Sequence, residues 1–290
     1  MANIGKSFYH KSSLKNFSKE DIAKGTVIKI NPALITILDT IDTLENTAYT
    51  QQKVLNIAKD LISKGNLHTL HIDINFDDYK HFGIHPPSVN SHIFTPEFLE
   101  KLYDLSTPHD VLLNVHLLTN HIEKHLLEIK HINLGAICFQ LEVIKIQNEL
   151  AKIIDLILSI DACVSPVIET VGSENFTPSN KETILQFLSP FFDKIGMLTF
   201  QLATTGMRSD HITNPHFDKN SIEYINFIGR QFPGTIQIQG GITTKTIGIA
   251  VNLGSEFFVC GTEIFNNAEG YSPQEVVHQL LANAHQALLK

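Results

Sequence analysis

Leu70-His71-Ile72-Asp73-Ile74-Asn75 is a short apolar run with polar side chains at every second place. A strand repeats every two residues, so His71 and Asp73 share one face. Similar runs of four to nine residues recur at 27–35, 70–74, 111–118, 136–141, 162–167, 197–202, 235–238 and 257–261. Each has the length of a buried strand. Longer, helix-like segments lie between them, at 50–64, 96–105, 120–129, 144–160, 181–192, 219–231, 245–253 and 273–289. Val54, Leu55, Ala58, Leu61 and Ile62 recur at helical spacing, as do Ile184, Leu185, Phe187 and Leu188. Strict strand–helix alternation implies parallel strands joined by right-handed crossovers. Eight units fit a closed (β/α)8 TIM barrel better than an open doubly wound sheet. The open sheet calls for a glycine-rich phosphate turn after the first strand, and Asn31-Pro32-Ala33 has none. The expected organisation is a short N-terminal extension over 1–24 and one barrel over 25–290.

Bulk properties narrow the function classes. Barrels of about 250 residues form one domain, so 290 residues need no second one. A net charge of −8 and a pI near 6.0 argue against a nucleic-acid partner, which a basic patch would announce. No apolar run reaches the roughly 18 residues of a membrane span. The N-terminus, MANIGKSFYHKSS, lacks the apolar core of a signal peptide. Cys138, Cys163 and Cys260 sit within apolar runs, as reduced core thiols do, and fit a cytoplasmic protein. Of the 15 histidines, His121, His125 and His131 lie on polar stretches and are expected to face solvent.

The residues to read for chemistry are those at strand ends, because barrel active sites form at the C-terminal ends of the strands. A carboxylate inside an apolar strand is costly unless it is paired or bound to metal. Asp73 is therefore either an interior salt link or part of a metal or acid–base site with His71. His116, in Asn114-Val115-His116-Leu117-Leu118, would alone pass for a core histidine. Beside His71 and Asp73 it completes a set of two imidazoles and a carboxylate. Such a set suits one divalent metal, Zn, Fe, Mn or Co, with positions left for substrate. The seventh run ends in Gln239-Gly240-Gly241 and the eighth in Gly261-Thr262. Glycines there let backbone N–H groups approach a phosphate, and Gly261-Thr262 can open a short helix. The plainer reading, that these glycines only make turns, stays open.

Together these residues resemble the ribulose-phosphate 3-epimerase family, in order over 27 to 265. The family's His-x-Asp on the second strand is matched by His71 and Asp73. Its Asp-x-His-x-Met on the third is matched in part by Asn114, His116 and Leu118. Its Asp-Gly-Gly on the seventh aligns with Gln239, Gly240 and Gly241, and its Gly-Ser on the eighth with Gly261 and Thr262, ahead of Phe265. Pro96-Glu97-Phe98-Leu99 follows at the spacing of the helix before the third strand.

The resemblance implies a metal-dependent epimerase or isomerase of a ketose phosphate. In that family two His and two Asp hold the metal. The aspartates move a proton beside the carbonyl from opposite faces, through an enediolate. The departures are specific. The second aspartate is Gln239, an amide that cannot exchange a proton at neutral pH. The first-strand serine is Ala33, and the fourth-strand histidine is Gln140, although Glu142 remains. The methionine lining is replaced at Asn75 and Leu118, and the family's Asp-Gly after the second strand by Phe76 and Asp77. The phosphate loop after strand six reads Leu202-Ala203-Thr204-Thr205-Gly206 and keeps one glycine, Gly206. Asp77, Asp78, Asp210 and His211 are candidate substitute acids on loops.

The reading is a weakened or altered epimerase, with Asp73 and the Gln239 position as the catalytic pair. Its expected partner is a small phosphorylated sugar, and self-association into a homo-oligomer stays open. The alternative is a non-catalytic homologue that binds sugar phosphate or metal. A third class is another metal-dependent carbon–carbon or proton-transfer enzyme, such as an aldolase or decarboxylase relative. No lysine marks the inward strand ends, which lowers the Schiff-base version.

Overall fold

The computed structural model describes residues 28–41, 46–64, 67–76, 92–170, 180–202 and 217–289. The N-terminal extension and the loop candidates Asp77, Asp78, Gly206, Asp210 and His211 lie outside the described residues. Eight strands form one parallel sheet: β1 (Lys29–Pro32), β2 (Thr69–Asn75), β3 (Leu112–Leu118), β4 (Ala136–Gln140), β5 (Cys163–Glu169), β6 (Met197–Gln201), β7 (Thr235–Gln239) and β8 (Phe257–Cys260). Each pairs with its sequence neighbour, and β8 pairs with β1. A parallel bridge between Ala33 and His71 brings β1 to β2 and closes the ring. This is the (β/α)8 barrel that the alternation of runs implies.

The helices follow in step: α1 (Thr47–Lys64), α2 (Pro96–Ser106), α3 (Ile122–Ile129), α4 (Gln147–Ser159), α5 (Lys181–Leu188), α6 (Lys219–Gly229), α7 (Ile247–Asn252), α8 (Thr262–Phe265) and α9 (Pro273–Leu288). Their starts are written in the sequence. Thr95 caps α2 ahead of Pro96, and Asn180 and Asp218 cap α5 and α6. Ser272 and Glu275 form a reciprocal capping box on α9. In α1 the buried positions Val54, Ala58, Leu61 and Ile62 form one stripe against the sheet. Each such large side chain contributes about 1.5–3 kcal/mol when buried. Among the described residues no helix is long and apolar enough to cross a membrane.

Two expectations need correction. The first run does not stay extended to 35: β1 stops at Pro32, and Leu34–Thr40 form a 3-10 helix. Apolar residues are continuous across that boundary, so composition alone misses it. His125 does not face solvent. It is buried, its ring stacks on Phe76 at 3.5 Å, and its Nδ1 lies 2.9 Å from Glu128 Oε2. His121 and His131 are exposed, as expected.

The core has two parts, because alternate strand residues face opposite ways. Outward-facing Leu70, Ile72, Leu113, Val115 and Ile137 meet the helices. Inside the barrel, Ala136, Cys138, Val167, Met197 and Phe257 form a separate apolar cluster, with Leu112 and Cys163 against it. Beside that cluster the lumen is polar. Asn31 Nδ2 donates to Gln237 Oε1 at 2.8 Å, and Gln237 Nε2 donates to Thr199 Oγ1 at 2.9 Å. The Thr199 and Ser165 hydroxyls meet at 2.8 Å. The three cysteines are free thiols, and burial pushes the pKa of each upward.

Candidate metal centre

His71 and Asp73 lie on the lumen face of β2, two residues apart. Asp73 is the register partner of His116 on β3. Strand pairing thus delivers all three side chains to one place at the C-terminal mouth. His116 Nδ1 lies 3.0 Å from Asp73 Oδ1, and His71 Nε2 lies 3.3 Å from the same oxygen. The two imidazole rings are tilted at 54°, with centroids 5.8 Å apart. One ligand atom from each residue falls within 4.8 Å of the others, and all three residues are buried. Such a group can hold a metal ion.

The environment fits that use. Among the described residues, Nδ1 of His71 and Nε2 of His116 are buried without a hydrogen-bond partner, while His71 Nε2 has only its 3.3 Å contact with Asp73. Leaving buried polar groups unmatched is costly, so a folded chain seldom keeps two so close together without a ligand. Burial alone would raise the Asp73 pKa. His71 and the hydrogen-bonded His116 outweigh it and hold the carboxyl well below the usual carboxylate range. Burial pushes the His116 pKa down, partly offset by Asp73, which favours the neutral imidazole that metals bind.

Gln239 belongs to the same cluster. It crosses the lumen from β7, and its Nε2 donates to Asp73 Oδ1 at 3.3 Å. Its Oε1 is buried and unmatched. Gln140 and Gln201 make a second amide pair across the lumen, with Gln140 Nε2 donating to Gln201 Oε1 at 3.0 Å. Two further residues stand at the mouth, Asn75 read from the sequence only as a departure from the family and Glu169 not read at all. Asn75, two places above Asp73, is 5% exposed with an unmatched Oδ1. Glu169 ends β5 and is 1% exposed. Its signal is the period of two: Ser165 bonds to Thr199 of the neighbouring strand inside the lumen and Val167 packs in the lumen cluster, so Glu169 continues the inward face.

The glycine turns after β7 and β8 stand at the same mouth. Gly240 and Gly241 have φ of 91° and 66°, the left-handed conformations that glycine allows. The next amides are engaged within the protein. Thr243 and Thr246 side chains accept from the N–H groups of 243, 245 and 246, and Glu263 Oε1 accepts from Thr244 N. Gly261 precedes the four-residue α8, and Thr262 is its first residue. A Cβ at 261 would sit 2.5 Å from Thr36 Cγ2, so close packing on the first 3-10 helix also demands glycine there.

No family model matches the chain, and no curated protein matches it. Solved structures do. KGPDC from Streptococcus mutans superposes with a TM-score of 0.58 at 12% identity, covering 91% of this chain and 100% of that one. Thiamine phosphate pyrophosphorylase from Pyrococcus furiosus gives 0.51 at 10% identity, covering 91% and 98%. A protein of Aquifex aeolicus VF5 gives 0.59 at 11% identity, covering 99% of each chain. Neither KGPDC nor thiamine phosphate pyrophosphorylase is a ribulose-phosphate 3-epimerase. They define the class as a TIM barrel, and fold alone does not choose the chemistry.

Proposed function

We propose that the chain is a metal-dependent proton-transfer enzyme of the ribulose-phosphate 3-epimerase type, acting beside the carbonyl of a ketose phosphate and slowed by Gln239. The observation that carries this reading is the buried His71–Asp73–His116 cluster with its unmatched imidazole nitrogens. A divalent ion held by these three residues (Zn, Fe, Mn or Co by the donor set) would polarise the carbonyl oxygen.

The remaining work falls to the side chains. Asp73 is held ionised and can accept a proton from the carbon next to the carbonyl. His116 fixes the carboxylate by a bond to Oδ1, and Gln239 does so from across the lumen. Gln239 occupies the neighbourhood that a second acid would need but has no proton to exchange. Its free Oε1 suits a substrate hydroxyl. Gly240, Gly241, Gly261 and Thr262 are assigned to the phosphate, together with Gly206.

Gln239 also favours a second reading, a homologue that binds sugar phosphate or metal without turning it over. Solvent deuterium incorporation into ribulose 5-phosphate and related ketose phosphates, with each of the four metals, separates the two. The enzyme reading expects slow incorporation that Gln239→Asp accelerates. No incorporation with any metal, in a protein that still binds sugar phosphate, would leave the binding reading.

A further inference from the structure

The mouth holds a second pair of carboxyl groups, on the β4–β5 side. Glu169 faces the lumen at the end of β5. Glu142 lies in the single 3-10 turn Leu141–Val143 that follows β4. Its Oε1 accepts from the backbone N–H of Glu169 at 3.0 Å, which ties the Glu142 carboxyl to the end of β5 where Glu169 stands. Glu142 is only partly covered as a residue, yet its Oε2 is sealed from solvent without a partner. Burial, and then the charge of Glu169, push its pKa up to about 8. Lys145 on the following loop opposes that shift, and Tyr224 of α6 lies within reach of the Glu142 charge. Lys145 Nζ is itself held by the Glu142 carbonyl oxygen at 2.8 Å.

A separate observation points to a ligand between this pair and Asp73. His116 is 1% exposed and stands on the strand between them. Its Nδ1 meets Asp73, so Nε2, on the other edge of the ring, turns away from Asp73 and has no partner. The charge of Glu169 is near enough to act on His116.

We propose that the Glu142–Glu169 pair is the second proton-transfer group of the mouth, standing in for the aspartate that Gln239 replaces. Glu169 is the member that meets substrate, and Glu142 is a positioning residue that holds the shared proton beside it. The proposal rests on the proton-transfer reading above. In the step, Asp73 takes the proton from the carbon beside the carbonyl, leaving an enediolate and a neutral Asp73. The pair gives its one proton to the opposite face of that carbon, the carbonyl re-forms, and the pair is left fully ionised. Solvent exchange returns a proton to the pair and removes one from Asp73. A sealed carboxyl on which a second acid's charge acts favours one shared proton at neutral pH.

The test separates exchange from inversion, in D2O with ketose phosphate and divalent metal, read by NMR. Glu169→Gln is expected to keep label entry at retained configuration through Asp73, while epimer formation falls by about 10²-fold or more. Glu142→Gln is expected to keep inversion and to move the alkaline limb of its pH profile from near 8 to lower pH. If Glu169→Gln leaves inversion intact, or lowers exchange and inversion equally, the proposal is overturned. A readout without turnover guards against a failed fold: 13C NMR of labelled glutamates in the whole protein. One carboxyl signal should titrate near pH 8 and disappear in Glu142→Gln. Two ordinary carboxylate titrations would overturn the pair and leave Asp73 untouched. Exchange that survives Asp73→Asn would instead sink the reading of Asp73, and no exchange in the wild type would sink both.

Discussion

The floor and the mouth of this barrel are built from the same alternating strands, yet they differ in how far their polar groups are satisfied. Toward the floor, Met197, Phe257 and Ala136 fill the lumen, and the Asn31–Gln237–Thr199–Ser165 chain is joined by hydrogen bonds, with Asn31 Oδ1 its one unmatched atom. At the mouth, His71, His116, Gln239 and Asn75 each carry buried atoms that no described residue satisfies. A folded chain tolerates such groups where something else binds. The contrast teaches where stability is made and where it is given up for binding.

Asp73→Asn should have the largest effect on the mouth. The three contacts on its Oδ1 lose their charge, and proton exchange should fall by about 10²–10⁴-fold while the fold persists. Circular dichroism and deuterium uptake together check this. Phe257→Ala acts at the floor. It leaves a lumen cavity and should cost about 3–5 kcal/mol in urea unfolding, with the spectroscopic signature of bound Co(II) unchanged. Equal loss of metal binding and stability in both variants would erase the distinction between the two ends.

Gln237→Leu tests the hydrogen-bonded network between them. It leaves Asn31 and Thr199 without their glutamine and should cost about 1–3 kcal/mol. The smallest effect is expected at the rim. Glu142 binds its proton more tightly folded than unfolded, so its contribution is complete below about pH 4.5 and lost as pH rises toward about 8. Glu142→Gln should flatten stability across that window, by about 1–2 kcal/mol once partial exposure is discounted. Urea titrations at pH 5 and pH 8 would show it, and an unchanged slope would contradict the sealed carboxyl.

Much of this was legible from residue order. All eight apolar runs became strands, because parallel strands buried on both faces read as continuous apolar segments. His71, Asp73 and His116 stood out because charge inside such a run is costly. What pairs with what was less legible. The register that sets Asp73 beside His116, and the reach of Gln239 across the lumen, depend on closure of the ring. Glu169 was hidden because the fifth run was read only to 167, two residues short of the acid. His125 was misread because Phe76, which covers it, comes from a different strand end. Gly261 resembled a phosphate turn, and only packing shows that Thr36 also requires it.

The most direct test is metal binding to the purified protein, by titration and by anomalous diffraction at the metal edge. The expected result is one Zn, Fe, Mn or Co ion among His71, Asp73 and His116, at roughly 2.0–2.2 Å for the imidazole and carboxylate ligands. His116→Ala should weaken it at least about tenfold. Saturating metal that leaves this position empty, or an ion bound equally well after His71 and His116 are both replaced, would contradict the account.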